Sequence, residues 1–210
     1  MRISLFLALL CWVVCTPPAQ ARQLQQEQIL LENVRIFNGT SPTVTAPVNV
    51  LVSGNIIQTI SAAPVTVSPG VTKIDGAGRT LMPGLIDVHV HMAFGALTMQ
   101  DMMSPDLSEN TMLEKVSISA AKMLMRGFTS VRDVGGPIFP LKAAIDGGKI
   151  TGPRIWPSGA VISQTAGHGD FRTPAERSRR FFGEPSRAEQ YGATFIADGR
   201  DEVLTAVREN

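Results

Sequence analysis

The chain has 210 residues, with 19 Lys and Arg against 18 Asp and Glu and a formal charge of +1. That balance excludes the basic excess a nucleic-acid surface requires. Hydrophobic residues make up 44% and charged residues 18%, which sets the chain apart from disordered sequences and leaves enough apolar mass for a core.

In chain order, residues 1–21 read as a signal peptide. Arg2 supplies the positive start, Ile3 to Val14 the apolar core, and Ala19-Gln20-Ala21 a small-x-small cleavage site. A membrane span takes roughly 20 apolar residues, and Pro17 and Pro18 interrupt this run. The expectation is export, periplasmic or secreted, with no stable membrane span after cleavage. A lipoprotein signal needs a small residue before its cysteine; Val14 precedes Cys15, so lipidation is the lesser alternative. Both cysteines, Cys11 and Cys15, fall in this segment, so the cleaved chain has no disulfide. Loss of Arg2 leaves its basic and acidic side chains equal in number.

After a short polar leader, residues 22–82 are predicted to hold a small β-domain of sandwich-like character. Ile29 to Phe37 reads as a strand closed by the Asn38-Gly39 turn. Val48 to Val52 and Ile56 to Ile60 flank Ser53-Gly54-Asn55, a hairpin signal. Ile74-Asp75 and Arg79 to Met82 surround Gly76 and Gly78. No cluster of reactive side chains occurs here, so the segment reads as packing support.

Pro83 to Met92, PGLIDVHVHM, carries the most chemistry. It places two of the three histidines, His89 and His91, one residue apart in an apolar run of Leu85, Ile86, Val88 and Val90. Alternation along a strand sends both rings to one face, roughly 6.6 Å apart at Cα, where they can converge on one ion. The continuous apolar character predicts a strand covered on both faces, where an ionisable group is costly unless ligated. The competing reading is a pair of core histidines satisfied by hydrogen bonds. Asp87 shares the same face, as an outer partner of the histidines or as a buried hydrogen-bonding group. A metallo-β-lactamase pattern wants Asp where Ala93 stands, and a cupin wants a nearby Glu, the first of which is Glu109. Neither fits.

Beyond the histidines strand and helix alternate, which predicts a parallel α/β architecture. A helix is expected from about Asn110, with Leu113, Val116, Ala120, Met123 and Leu124 at helical spacing and Gly127 as a left-handed cap. Phe128 to Val134 reads as a second strand, Pro140 to Ile145 as a short helix ended by Gly147-Gly148, and Ile155 to Ile162 as a third strand. Asp133 ends the second strand, placed to orient a ligand, contact substrate or cap the next turn. His168 follows the third strand in TAGHGD, either at a site or simply solvated. Arg172 to Arg187 reads as a surface loop able to form part of a lid, whose arginines either meet a substrate carboxylate or are solvated. Asp201 to Asn210 reads as a helix with Val203, Leu204 and Val207 on one face.

The run from Pro83 to His91, with the segments from Ile29, Asn49 and Ile74 before it, resembles the metal-dependent amidohydrolase superfamily. The TAGHGD loop resembles that of imidazolonepropionase-like and dipeptidase-like members. The resemblance implies a TIM-type (β/α) barrel, with about three of its eight strands within residues 83–210. It implies that His89 and His91 hold a divalent metal, zinc by preference, and that the substrate is a small amide or peptide, a dipeptide or N-acyl amino acid. The family's remaining ligands and its proton-handling aspartate come from later strands, so the general base is expected beyond residue 210. Two imidazoles fall short of the three protein ligands of a typical catalytic zinc. The chain by itself is therefore expected to be an incomplete, inactive hydrolase. The alternative is an exported, non-catalytic metal-binding or scaffold protein derived from the fold.

Overall fold

The structure is a computed structural model that describes residues 27–210. The signal-peptide assignment of residues 1–21 and nearly all of the polar leader lie outside the described residues. The chain divides between Met82 and Pro83 into two compact units.

The first unit is one five-stranded sheet where the sequence pointed to a small sandwich. Its strands are β1 (Gln28–Ile36), β2 (Val48–Ser53), β3 (Ile56–Ser61), β4 (Thr72–Asp75) and β5 (Thr80–Leu81). They run in the order β3-β2-β1-β4, with β5 also on β1. The β2–β3 hairpin turns at Gly54-Asn55, between paired Ser53 and Ile56, with Gly54 at φ +59°. A positive φ at the first central position of a two-residue turn is open to glycine at no steric cost. Leu30, Val34, Val50 and Leu51 are buried and form its core.

The second unit is mixed α/β. Three parallel strands, β6 (Leu85–Val90), β7 (Phe128–Asp133) and β8 (Arg154–Pro157), lie in the order β6-β7-β8. Two short helices, α1 (Met92–Ala96) and α2 (Met99–Met103), precede the long α3 (Glu109–Met125), which links β6 to β7; α4 (Phe139–Asp146) links β7 to β8. Ser108 opens α3 by accepting from the Thr111 amide, and Gly127 follows it at φ +96°. Met112, Val116 and Ala120 of α3 pack with Val131, Ile138, Leu141 and Ile155 into one core. Fully burying an aliphatic side chain of this kind is worth about 1.5–3 kcal/mol, so α3 is held by this face.

Two expectations are corrected. Ile155 to Ile162 is not one strand: it breaks at Gly159, φ +83°, into β8 and β9 (Val161–Ser163). β9 pairs in parallel with β10 (Thr194–Ile196), reached through α5 (Arg179–Phe182) and α6 (Arg187–Gln190), so the described residues form separate sheets and no closed barrel. β6 is not covered on both faces among the described residues, since Ile86 is 68% and Val88 59% exposed, and it is also the edge strand of its sheet. The last segment is helical as expected, α7 (Arg200–Glu209), with Val203, Leu204 and Val207 exposed and Ala206 buried.

Candidate metal centre

The loops that leave β6, β7 and β8 are stitched together at the C-terminal ends of these strands. The Val134 amide donates to the Val90 carbonyl at 2.9 Å, Ser158 to Asp133 at 2.8 Å, and Gly136 to Gly159 at 2.9 Å. In parallel α/β sheets this is the end where ligands are bound. His91 sits here, between the last residue of β6 and the first of α1.

The rings of His89 and His91 approach edge to face, with centroids 5.4 Å apart. His89 is exposed and His91 half-buried. His91 Nδ1 lies 3.1 Å from the Gly135 carbonyl oxygen. The carbonyl can only accept, so Nδ1 carries a proton, and in the neutral ring Nε2 is the nitrogen with the lone pair. A backbone carbonyl on one ring nitrogen is the usual outer partner of a metal-binding imidazole. The strand alternation that predicts this pair is not regular: pairing of β6 with β7 slips by one residue between Asp87 and Val90.

Asp133 is 1% exposed and ties the two loops together. Its Oδ2 accepts from the Met92 amide at 2.7 Å and its Oδ1 from the Gly135 amide at 3.1 Å. Burial pushes its carboxyl above the ordinary value, against the two amides and the nearby His91, which pull it down. It thus caps the turn after β7 and also braces the residues beside His91 and at its tether. Asp87 does not reach a ring; its Oδ1 accepts from the backbone amide of His89 at 3.1 Å.

His168 is exposed and makes no hydrogen bond or ring contact among the described residues. Its loop is shaped by other groups. Asp170 accepts from the Ala166 amide and pairs with Arg172, and Asp198 accepts from the amide and hydroxyl of Thr165. The loop reaches the histidine pair through Phe171, whose ring meets Phe94 at 5.5 Å, while Phe94 lies 5.7 Å from His91. Sequence reasoning missed Gly135, Phe94 and Phe171. The Gly135-Gly136 pair directly after Asp133 is the one signal that points to a close backbone approach there.

Among the described residues no third His, Cys, Asp or Glu joins His89 and His91 into a group able to hold an ion. Two imidazole nitrogens are donors of the kind a borderline divalent ion such as zinc takes, and they fall short of a typical shell of three protein ligands. Among the described residues no helix is long and apolar enough to cross a membrane.

Residues 80–209 match the model of the Amidohydrolase family. Ochratoxinase of Aspergillus niger is 38% identical over 138 residues, a match covering 61% of this chain and 28% of ochratoxinase. Among solved structures, a prolidase complexed with N-methylphosphonate-L-proline superposes with a TM-score of 0.70 at 33% identity, over 87% of this chain and 43% of the prolidase. A Xaa-Pro dipeptidase with methionine in its active site gives 0.66 at 28% identity, over 87% of this chain and 44% of the dipeptidase. The chain thus spans less than half the length of each of these relatives.

Proposed function

This chain belongs to the amidohydrolase family, and from that premise we propose that it is the front part of a metal-dependent hydrolase of carbon–nitrogen bonds. The substrate class is a dipeptide or N-acyl amino acid. Similarity to a prolidase, a Xaa-Pro dipeptidase and ochratoxinase supports a small-molecule amide substrate. The strands β6, β7 and β8 are, on this reading, the opening strands of a (β/α)8 barrel whose other strands lie outside these 210 residues. Residues 83–210 belong to that barrel and residues 22–82 to a supporting β-domain. Residues 1–21 direct export to a periplasm or to the outside.

The observation that carries the proposal is the convergence of His89 and His91, with His91 Nδ1 held by the Gly135 carbonyl. His91 and His89 offer their free ring nitrogens to a divalent ion, zinc by ligand type. When bound, such an ion supplies Lewis acidity, polarising a carbonyl and making water a better nucleophile. Gly135 holds the His91 ring in one tautomer. Asp133 fixes Gly135 and Met92, and so fixes the tether and the backbone that follows the ligand. Phe94 and Phe171 give the site an apolar side. The general base and the remaining ligands are placed beyond residue 210, so the chain alone binds metal weakly and does not turn over.

The test is zinc binding together with hydrolysis of dipeptides and N-acyl amino acids. It compares this chain with a version extended through a complete barrel. The reading expects weak zinc uptake dependent on His89 and His91 in the chain, and hydrolysis only in the extended protein. Hydrolysis that survives His89→Ala and His91→Ala in the extended protein would overturn it.

A further inference from the structure

His91 is oriented by a hydrogen bond to its ring, whereas the exposed His89 ring has no hydrogen-bond partner among the described residues. Apart from its edge contact with the His91 ring, its direction comes from its backbone. β6 is an edge strand here, and its register against β7 slips by one residue between Asp87 and Val90, so regular pairing does not fix that backbone.

Two side chains act on the single peptide unit just before the His89 Cα. Arg132 Nε donates to the Val88 carbonyl at 2.8 Å, and the His89 amide donates to Asp87 Oδ1 at 3.1 Å. In a trans peptide the C=O and N–H point in opposite directions from one rigid plane. Bonds at both ends therefore hold the plane like a spindle between two bearings. Fixing the plane restricts ψ of Val88 and φ of His89, which together set where the His89 Cα–Cβ bond points. The donor is a guanidinium, which makes the bond to the carbonyl charge-assisted and directional. The acceptor is a carboxylate, which strengthens the other end in the same way.

We propose that Arg132 and Asp87 are positioning residues that clamp the Val88–His89 peptide and so aim His89 at the ion shared with His91. The inference rests on the assignment of His89 and His91 as metal ligands. Arg132 stands beside buried Asp133 and Val131 on β7, so neighbouring residues of one strand position both histidines: Asp133 through Gly135 for His91, Arg132 through Val88 for His89.

The experiment compares the whole chain with Arg132→Met, Arg132→Lys, Asp87→Ala and Asp87→Asn. Zinc affinity is one readout and hydrogen exchange of the His89 amide, without metal, is the other. Arg132→Met and Asp87→Ala should each weaken zinc binding about tenfold, the lower end of what outer partners of metal ligands contribute. Both should also speed His89 amide exchange. Asp87→Asn, which keeps a carbonyl oxygen to accept the bond, should recover most of both effects, and Arg132→Lys only part, since its single ammonium lacks the fixed fork. In a His89→Ala background Arg132→Met should cause no further loss of zinc, because the clamp acts through His89. Unchanged zinc affinity with unchanged exchange would overturn the proposal, as would an undiminished loss in the His89→Ala background. If the unaltered chain takes up no zinc, the metal-ligand assignment fails, and the clamp stands or falls on amide exchange alone: faster exchange in Arg132→Met and Asp87→Ala upholds it, and no change refutes it.

Discussion

The Nδ1 atom of His91 lies 3.1 Å from the carbonyl oxygen of Gly135, a residue 44 positions later that follows the end of β7. That bond joins the C-terminal ends of two neighbouring strands and, on the proposed reading, selects the ring nitrogen left for a metal. Its geometry depends on the absence of a side chain at Gly135. A Cβ there would collide with Val161 Cγ2 and come within 3.4 Å of the His91 ring.

Gly135→Ala should therefore cost both stability and metal affinity. Overpacking of a buried site costs roughly 1–3 kcal/mol, and displacement of the tether should weaken zinc binding about tenfold or more. Urea denaturation and zinc titration of the same protein check the two effects. An unchanged denaturation midpoint would show that the β9 side of the site yields freely.

Asp133 satisfies two buried amides, those of Met92 and Gly135. Asp133→Ala leaves both donors unpaired, at about 1–3 kcal/mol each, for a loss on the order of 2–6 kcal/mol. Asp133→Asn keeps one acceptor oxygen and turns an NH2 group toward the other amide, so about half that loss is expected. Equilibrium unfolding of the two variants gives the ratio directly.

Acid should loosen the loop after β9 at a defined pH. The Arg172 guanidinium, with help from the Ala166 amide, holds the Asp170 carboxyl down to about 2 from 3.8. Because the folded value is the lower one, the pair stabilises the folded state above the unfolded carboxyl pKa, and that stability is lost as pH falls from about 4 towards 2. The Asp170 side chain is 6% exposed, and the loss is on the order of 1–2 kcal/mol. Stability measured across this window should fall less steeply in Asp170→Asn than in the unaltered chain.

The sequence is legible where one residue type has one physical meaning. The β2–β3 hairpin is announced by Ser53-Gly54-Asn55, and the end of α3 by Gly127, because both sites need a glycine at positive φ. Val116 and Ala120 are legible as the core face of α3 through their spacing. The nearness of His89 and His91 is legible from their spacing in Pro83 to His91, and the structure brings the two ring centroids to 5.4 Å.

What is not legible depends on partners distant in sequence. Ile155 to Ile162 holds a turn signal, Pro157-Ser158-Gly159, where the strand breaks, but the pairing of β8 with β7 and of β9 with β10 is encoded by no local pattern. Ile86 and Val88 are exposed on one face of β6, and what covers a strand's face is not encoded by the strand's own pattern. β10 has three residues and α1 and α2 five each, too short to show a period. At the site, alternation brings His89 and His91 to one side on paper, but the register slip after Asp87 means that other groups must hold them there. Those groups are a backbone carbonyl, a buried aspartate and a peptide plane, and of these only Asp133 and Asp87 stand out as chemistry in a sequence.

The central claim is that His89 and His91 together hold a divalent ion. Its most direct test is the zinc stoichiometry and affinity of the chain beside a variant carrying both His89→Ala and His91→Ala. The account predicts one ion per chain in the first and none in the second, with both proteins folded alike. Equal zinc binding by the two proteins, or none by either, would contradict it.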